Sequence, residues 1–165
     1  METFKNLVLE TNKHYRLADH IANVTYPLIK DSRLLLSMLD NLDKCVKCAL
    51  DAFLYYEKLN DRISVFPEDL AIKLQVFSKT AAIRHNVNGF QILVREITET
   101  LTKHKESPVE FIKDNRLYMY NREYKARTLD IKDVKLYLLK AKPFIVQLNN
   151  IYRQHEHDRR SQGRD

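Results

Sequence analysis

Residues 32–60, SRLLLSMLDNLDKCVKCALDAFLYYEKLN, decide the fold. The apolar side chains of this stretch recur at alternating steps of four and three residues, and neither glycine nor proline interrupts them. These side chains are Leu35, Leu39, Leu42, Val46, Ala49, Phe53 and Tyr56. The spacing places them on one face of an α-helix, and that face must be covered by other segments. We therefore expect a long amphipathic helix against which the rest of the chain packs.

Two further segments carry the same spacing. The first predicts a helix from about Thr3 to Thr25, after which Pro27 should interrupt the hydrogen-bond ladder because proline lacks a backbone N–H. The short connection to residue 32 predicts antiparallel packing of the first two helices. The second predicts a helix that opens at Asp130 and keeps its register through Pro143, which indicates one kinked, continuous helix.

The segment between residues 67 and 105 is also helical in pattern. Its apolar residues fall on one face from Leu70 to Ala81 and again from Phe90 to Leu101. Asn86 and Gly89 between them mark a stop or a kink. The pattern leaves open whether residues 67–105 form one bent helix or two.

The period changes to two at about residues 109–128. Leu117 and Met119 alternate with tyrosines, and Asp114-Asn115 is a plausible two-residue turn. A third short strand would include Ala126. We predict a small antiparallel hairpin or three-strand meander whose apolar face rests on the helices.

Together these patterns predict a mostly α fold. The expected architecture is a four- to five-helix antiparallel bundle with a small β-hairpin or meander inserted before the last helix. Residues 1–155 should form a single domain, and the polar residues 156–165 should form a frayed tail. The apolar stripes of these helices can pack against each other within one chain or between two chains. The sequence therefore leaves open whether the protein forms a homodimer.

The composition bounds the environment of the protein. The longest unbroken run of Leu, Ile, Val or Phe covers residues 34–36, far too short to span a membrane. The first ten residues lack the basic and apolar pattern of a secretory signal, and two cysteines do not make a disulfide framework. We therefore expect a cytoplasmic protein that makes no membrane contact.

The usual enzymatic motifs are absent from the sequence. Two separated glycines cannot build a phosphate-binding loop, and the Gly-x-Ser-x-Gly hydrolase motif is missing. Cys45 and Cys48 have CxxC spacing but fall in mid-helix without a second ligand pair, which favours structural thiols. The spacing of Glu10, His14 and His20 is best explained by side-chain pairs on the surface of one helix. It remains open whether these three residues form a functional site. The sequence therefore favours a non-enzymatic protein with no catalytic residues, no metal ligands and no cofactor.

The β segment carries the candidate binding site. Residues 106–165 hold thirteen basic and nine acidic side chains, a net charge of +4. In the β segment, basic residues interleave with tyrosines, and this set comprises Lys113, Arg116, Tyr118, Tyr120, Arg122, Tyr124, Lys125 and Arg127. Cations neutralise phosphates and aromatic rings stack on bases, as single-stranded nucleic acid requires. Tyrosines are also ordinary strand formers, and edge cations prevent aggregation.

Two functions follow from this segment. The first is a non-enzymatic binding or scaffold protein that contacts an unknown protein partner through the basic, tyrosine-rich β segment. The alternative is an RNA- or DNA-binding protein that uses the same residues.

Two stretches carry a resemblance to a known family. HYRLADHIANVTYPLIKDSRLLL (residues 14–36) and SPVEFIKDNRLYMYNREYKARTL (residues 107–129), with the helix that follows, resemble an uncharacterised family of small archaeal helical proteins. The resemblance covers most of the chain and implies an archaeal source and a helical fold. It brings no functional residue, because the shared motifs are structural.

Overall fold

The computed structural model describes residues 2–161 and residue 163. The protein is mostly helical, with a small three-stranded sheet before the last helix. The elements in chain order are α1 (Glu2–His20), a π-helical turn (Ile21–Thr25), α2 (Tyr26–Ile29), α3 (Arg33–Leu59), α4 (Leu70–Lys79), α5 (Ala81–Arg84), α6 (Phe90–Glu106), β1 (Val109–Lys113), β2 (Arg116–Tyr120), β3 (Ala126–Leu129) and α7 (Ile131–Ser161). Within the described residues, no helix combines the length and the apolar character needed to cross a membrane.

The predicted helix over residues 32–60 is confirmed as α3. Its stripe is buried from Leu35 to Phe53, and Tyr56 is half-buried. α3 packs against α1, α4, α6 and α7, while α7 also contacts α1 and α6. One contiguous apolar cluster joins these helices to the sheet.

The first helical segment ends later than predicted. Pro27 lies inside α2, and the helical path stops only at Lys30, whose φ is 53°. The five residues before α2 form a π-helical turn, in which the Tyr26 N–H donates to the Ile21 carbonyl. Such a turn widens the hydrogen-bond ladder, which accommodates the proline ring in the following turn. The α-helical ladder is thus interrupted just before Pro27, as predicted, but the helical path continues through the proline to Ile29, beyond the predicted end at Thr25.

Residues 67–105 hold three helices, α4, α5 and α6, instead of one or two. Asp69 opens α4, since its carboxylate accepts from the Ile72 N–H at 3.1 Å. Thr80 leaves helical geometry with φ −126° and ψ −89°, which separates α4 from α5. Gly89 has φ 91° before α6, in a region that glycine enters without steric cost.

α7 runs uninterrupted through Pro143, which confirms the predicted continuous helix. It extends to Ser161 and so reaches six residues into the segment 156–165, for which we expected a frayed tail. The end of α7 is supported because the His155 ring packs edge-on against Phe4 and Tyr56. Of the expected tail, residues 162, 164 and 165 lie outside the described residues.

The strands confirm the predicted three-strand meander. They pair antiparallel in the order β1-β2-β3. Asp114 and Asn115 have φ of 51° and 60°, as a two-residue type I′ turn requires. This turn places Lys113 opposite Arg116, and thereby fixes the register of the whole hairpin.

Candidate functional site

The register of the hairpin sorts the residues of the sheet onto two faces. Leu117, Met119 and Leu129 are buried against the helices. The opposite face, here called the outer face, follows from the residues paired across the strands. It carries Val109, Phe111, Lys113, Arg116, Tyr118, Tyr120, Ala126 and Thr128. Val109 and Phe111 of β1 therefore lie beside the tyrosines, whereas Ile112 pairs with Leu117 on the face toward the helices.

An aromatic cluster occupies the centre of the outer face. The Phe111 ring lies 5.0 Å from the Tyr118 ring, centroid to centroid, at an interplanar angle of 11°. It lies 5.8 Å from the Tyr120 ring at 21°. Phe111 is nevertheless 43% exposed. Three nearly parallel rings thus form a platform at the protein surface.

A shallow pocket of about 450 Å³, here called the aromatic pocket, adjoins this platform. Its walls include Phe111, Tyr120 and Tyr124, and Arg122 supplies a cation at its rim. The volume falls in the range of small-molecule sites, and a lining with several aromatic rings suits a planar ligand. A nucleobase has these properties.

Tyr124 is held in an unusual conformation. Its φ is 58°, which costs a bulky side chain about 1–3 kcal/mol, and the side chain is 85% exposed. The loop is fixed by Asn121, whose Oδ1 accepts from the N–H groups of Glu123 and Lys125 at 3.0 and 2.9 Å. The Asn121 N–H donates to the Lys125 carbonyl at 3.1 Å. These bonds hold an aromatic ring out in solvent beside the aromatic pocket.

The basic residues around the outer face differ in how they are engaged. Arg116 Nη2 donates to Asp130 Oδ2 at 2.8 Å, and Lys125 pairs with Glu123 at 3.0 Å on the surface. Within residues 2–161, no carboxylate lies within salt-bridge distance of the side chains of Lys113 and Arg122. These two cations are free to meet an incoming anion.

Seven of the eight predicted site residues surround the outer face or its loop. Lys113, Arg116, Tyr118 and Tyr120 lie on the outer face, and the loop of residues 121–125 carries Arg122, Tyr124 and Lys125. Arg127 is not with them, because it pairs with Met119 on the face toward the helices.

Sequence reasoning missed Phe111, the residue that joins the tyrosines into one cluster. The signal was present in the predicted turn. A two-residue loop at Asp114-Asn115 pairs residue 113 with residue 116, and counting back places Phe111 opposite Tyr118.

Two of the other candidate groups, Cys45 and His14, are engaged within the fold. Cys45 is buried, and desolvation together with the nearby Cys48 raises its pKa to about 12, so this thiol stays protonated at neutral pH. His14 Nδ1 lies 2.9 Å from Asn41 Oδ1, and its Nε2 lies 3.4 Å from Glu10. In the part of the chain that the structure describes, no three His, Cys, Asp or Glu side chains are grouped to hold a metal ion.

Compared with protein-family models, curated proteins and solved structures, the chain matches none of them. The resemblance to small archaeal helical proteins therefore stays an expectation.

Proposed function

We propose that this protein is a non-enzymatic binding protein whose outer face binds single-stranded nucleic acid. The observation that carries the proposal is the exposed set of near-parallel rings, with Tyr124 held beside it in a left-handed conformation. Stacking on exposed rings tolerates every base, since each base has a π face. Lys113 and Arg122, which have no acidic partner among the described residues, flank the rings and can meet the phosphates.

The geometry favours single strands over duplexes. The rings stand on one small sheet and border a pocket, so a base must leave its own stack to reach them. In a duplex, each base is stacked between its neighbours, so only the phosphates are accessible to the outer face. The expected specificity is therefore for unpaired bases of any sequence.

A second candidate partner is a protein strand that pairs with β1. β1 is an edge strand, and its Val109, Phe111 and Ile112 side chains are all exposed. An extended peptide can add to such an edge by main-chain hydrogen bonds. A second copy of this chain can do the same, and sedimentation at rising protein concentration would reveal the resulting homodimer.

The helices supply the support for this interface. In the proposed architecture α1, α3, α6 and α7 form an antiparallel bundle, and the sheet rests on it through Leu117, Met119 and Leu129. The free thiols of Cys45 and Cys48 suit the reducing cytosol, the compartment in which we place the protein.

A salt-dependent titration tests the proposal. Fluorescence polarisation of a labelled single-stranded RNA should show binding that weakens as salt rises, with a log–log slope of roughly −1.5 to −3 for two to four phosphate contacts. The duplex of the same sequence should bind more weakly at every salt concentration. No binding of single strands at about 50 mM salt, where phosphate contacts are strong, would remove nucleic acid and leave the protein partner.

A further inference from the structure

A second, smaller pocket lies where the end of β2 and the start of β3 meet the last turn of α6. Its volume is about 190 Å³, and it is bounded by the last turn of α6 and by the residues that begin β3. Lys103, Lys125 and Arg127 line it, and Glu106 is the one acidic side chain in the lining. Three cations against one carboxylate favour an anion. We refer to it as the cationic pocket.

Arg127 is the central group of the cationic pocket. It projects from β3 on the face that also holds Met119, and its side chain is half-buried. Across that face, the nearest strand carboxylate is Glu110, but Glu110 Oε1 is taken by His104 Nδ1 at 2.7 Å. Among the described residues, no carboxylate lies within salt-bridge distance of the Arg127 guanidinium. A partly buried cation without an internal counter-charge is stabilised by an external anion.

The two lysines add charge at the mouth of this pocket. Lys103 is exposed on the last turn of α6 and has no acidic partner within the described part of the chain. Lys125 pairs with Glu123, but both side chains are more than two-thirds exposed, so the pair is weak and Lys125 can turn toward an anion.

The cationic pocket adjoins the aromatic pocket. Tyr120, the last residue of β2, and Asn121, which follows it, line both pockets. The ligand that satisfies both pockets at once carries a planar ring and, a short distance away, a compact anion. A nucleotide has that composition.

We propose that the cationic pocket binds the terminal phosphate of a single strand whose end base stacks in the aromatic pocket, an inference that rests on the proposed function. A terminal phosphomonoester carries nearly two negative charges at neutral pH, whereas an internal phosphodiester carries one. The three cations and one carboxylate of the cationic pocket give a net positive charge, which matches the second negative charge of the phosphomonoester. The last turn of α6 contributes Lys103 and Glu106 to the lining, so a phosphate in the pocket lies against the end of this helix.

Three oligonucleotides of one sequence test this proposal. They carry hydroxyls at both ends, a 5′ phosphate, or a 3′ phosphate. The wild-type protein should bind one of the two phosphorylated strands about tenfold more tightly than the hydroxyl strand, as charge-assisted hydrogen bonds to arginine and lysine require. Equal affinity for all three strands would overturn the phosphate pocket and leave the outer face as a nucleic-acid site.

Matched variants assign the preference to the pocket. Arg127→Gln and Lys103→Gln should each remove most of the preference for the phosphorylated strand. Lys105→Gln removes the same charge from the same turn of α6, but Lys105 does not line the pocket, so it should keep the preference. Since Lys103 is exposed, its variant reports on the pocket even if Arg127→Gln fails to fold. A preference that survives both pocket variants contradicts the proposal.

A titration with inorganic phosphate separates this proposal from the proposed function. Followed by NMR against chloride at equal ionic strength, it should shift the amide signals of Lys103, Asn121 and Arg127. If no strand binds but phosphate shifts these signals, the pocket is a site for a free phosphomonoester, and a nucleoside monophosphate should then shift them at lower concentration. If neither a strand nor phosphate has an effect, both proposals fail.

Discussion

Replacing Glu57 with alanine is expected to lower the free energy of unfolding by about 3–5 kcal/mol. The Glu57 side chain is fully buried near the end of α3. Its carboxylate accepts from Arg62 Nη1 at 3.1 Å and from Arg84 Nε at 3.1 Å, and it lies 2.8 Å from His85 Nε2. The truncation removes the acceptor for all three groups at once and leaves them facing a cavity.

The expected loss is large because Glu57 joins three separate parts of the chain. Arg62 belongs to the segment after α3, Arg84 ends α5, and His85 follows it with its ring against Phe53 and Tyr56. A loss of 3–5 kcal/mol is a large share of the stability of an ordinary domain.

Urea unfolding, with circular dichroism as the signal, measures this effect. Asp40→Ala is the matched control, since Asp40 also lies on α3 and pairs with Lys44, but at the surface. It should cost far less, because surface ion pairs contribute little. Glu57→Gln, which keeps the shape and one acceptor, should fall between the two. Equal losses for Glu57→Ala and Asp40→Ala would contradict this account of the buried carboxylate.

The second large effect is expected at Tyr124. Tyr124→Asn should weaken binding of single-stranded RNA by about 1–3 kcal/mol, since it removes one stacking surface. Asparagine is tolerated at positive φ, so the loop should keep its conformation and the melting temperature should not fall. Polarisation titrations and thermal melts of the same samples separate binding from folding. Tyr120→Leu on β2 should weaken binding similarly, because the Tyr120 ring also lines the aromatic pocket.

Tyr124→Phe is the control for this prediction. It keeps the ring and removes only the hydroxyl, so its affinity should stay close to that of the wild type. If Tyr124→Asn and Tyr124→Phe bind RNA equally well, the ring of Tyr124 does not stack on the ligand, and the aromatic pocket is not the base site.

The long helices were predictable because their stripes are local and periodic. Seven apolar residues at steps of four and three define the buried face of α3 without reference to any other segment, and α7 keeps its register through Pro143. The strands were predictable for the same reason, because their alternation and the Asp114-Asn115 turn are local signals.

The features that could not be predicted from the sequence depend on backbone geometry or on contacts between distant residues. The helical path through Pro27 depends on a π-helical turn, which has no sequence signature. The break at Thr80 divides a continuous apolar pattern. Two features of the candidate site also depend on such geometry. The free charge of Arg127 follows from the register of β3, and the exposed ring of Tyr124 follows from a loop conformation set by Asn121.

Mapping the RNA contact onto the chain by NMR is the most direct test of the central claim. In a titration of the ¹⁵N-labelled protein with a short single-stranded RNA, the largest shifts should fall at residues 109–128, including Phe111, Tyr120 and Tyr124. Signals from the exposed sides of α1 and α7 should stay in place. Shifts confined to those helices, with the outer face unchanged, would contradict the account.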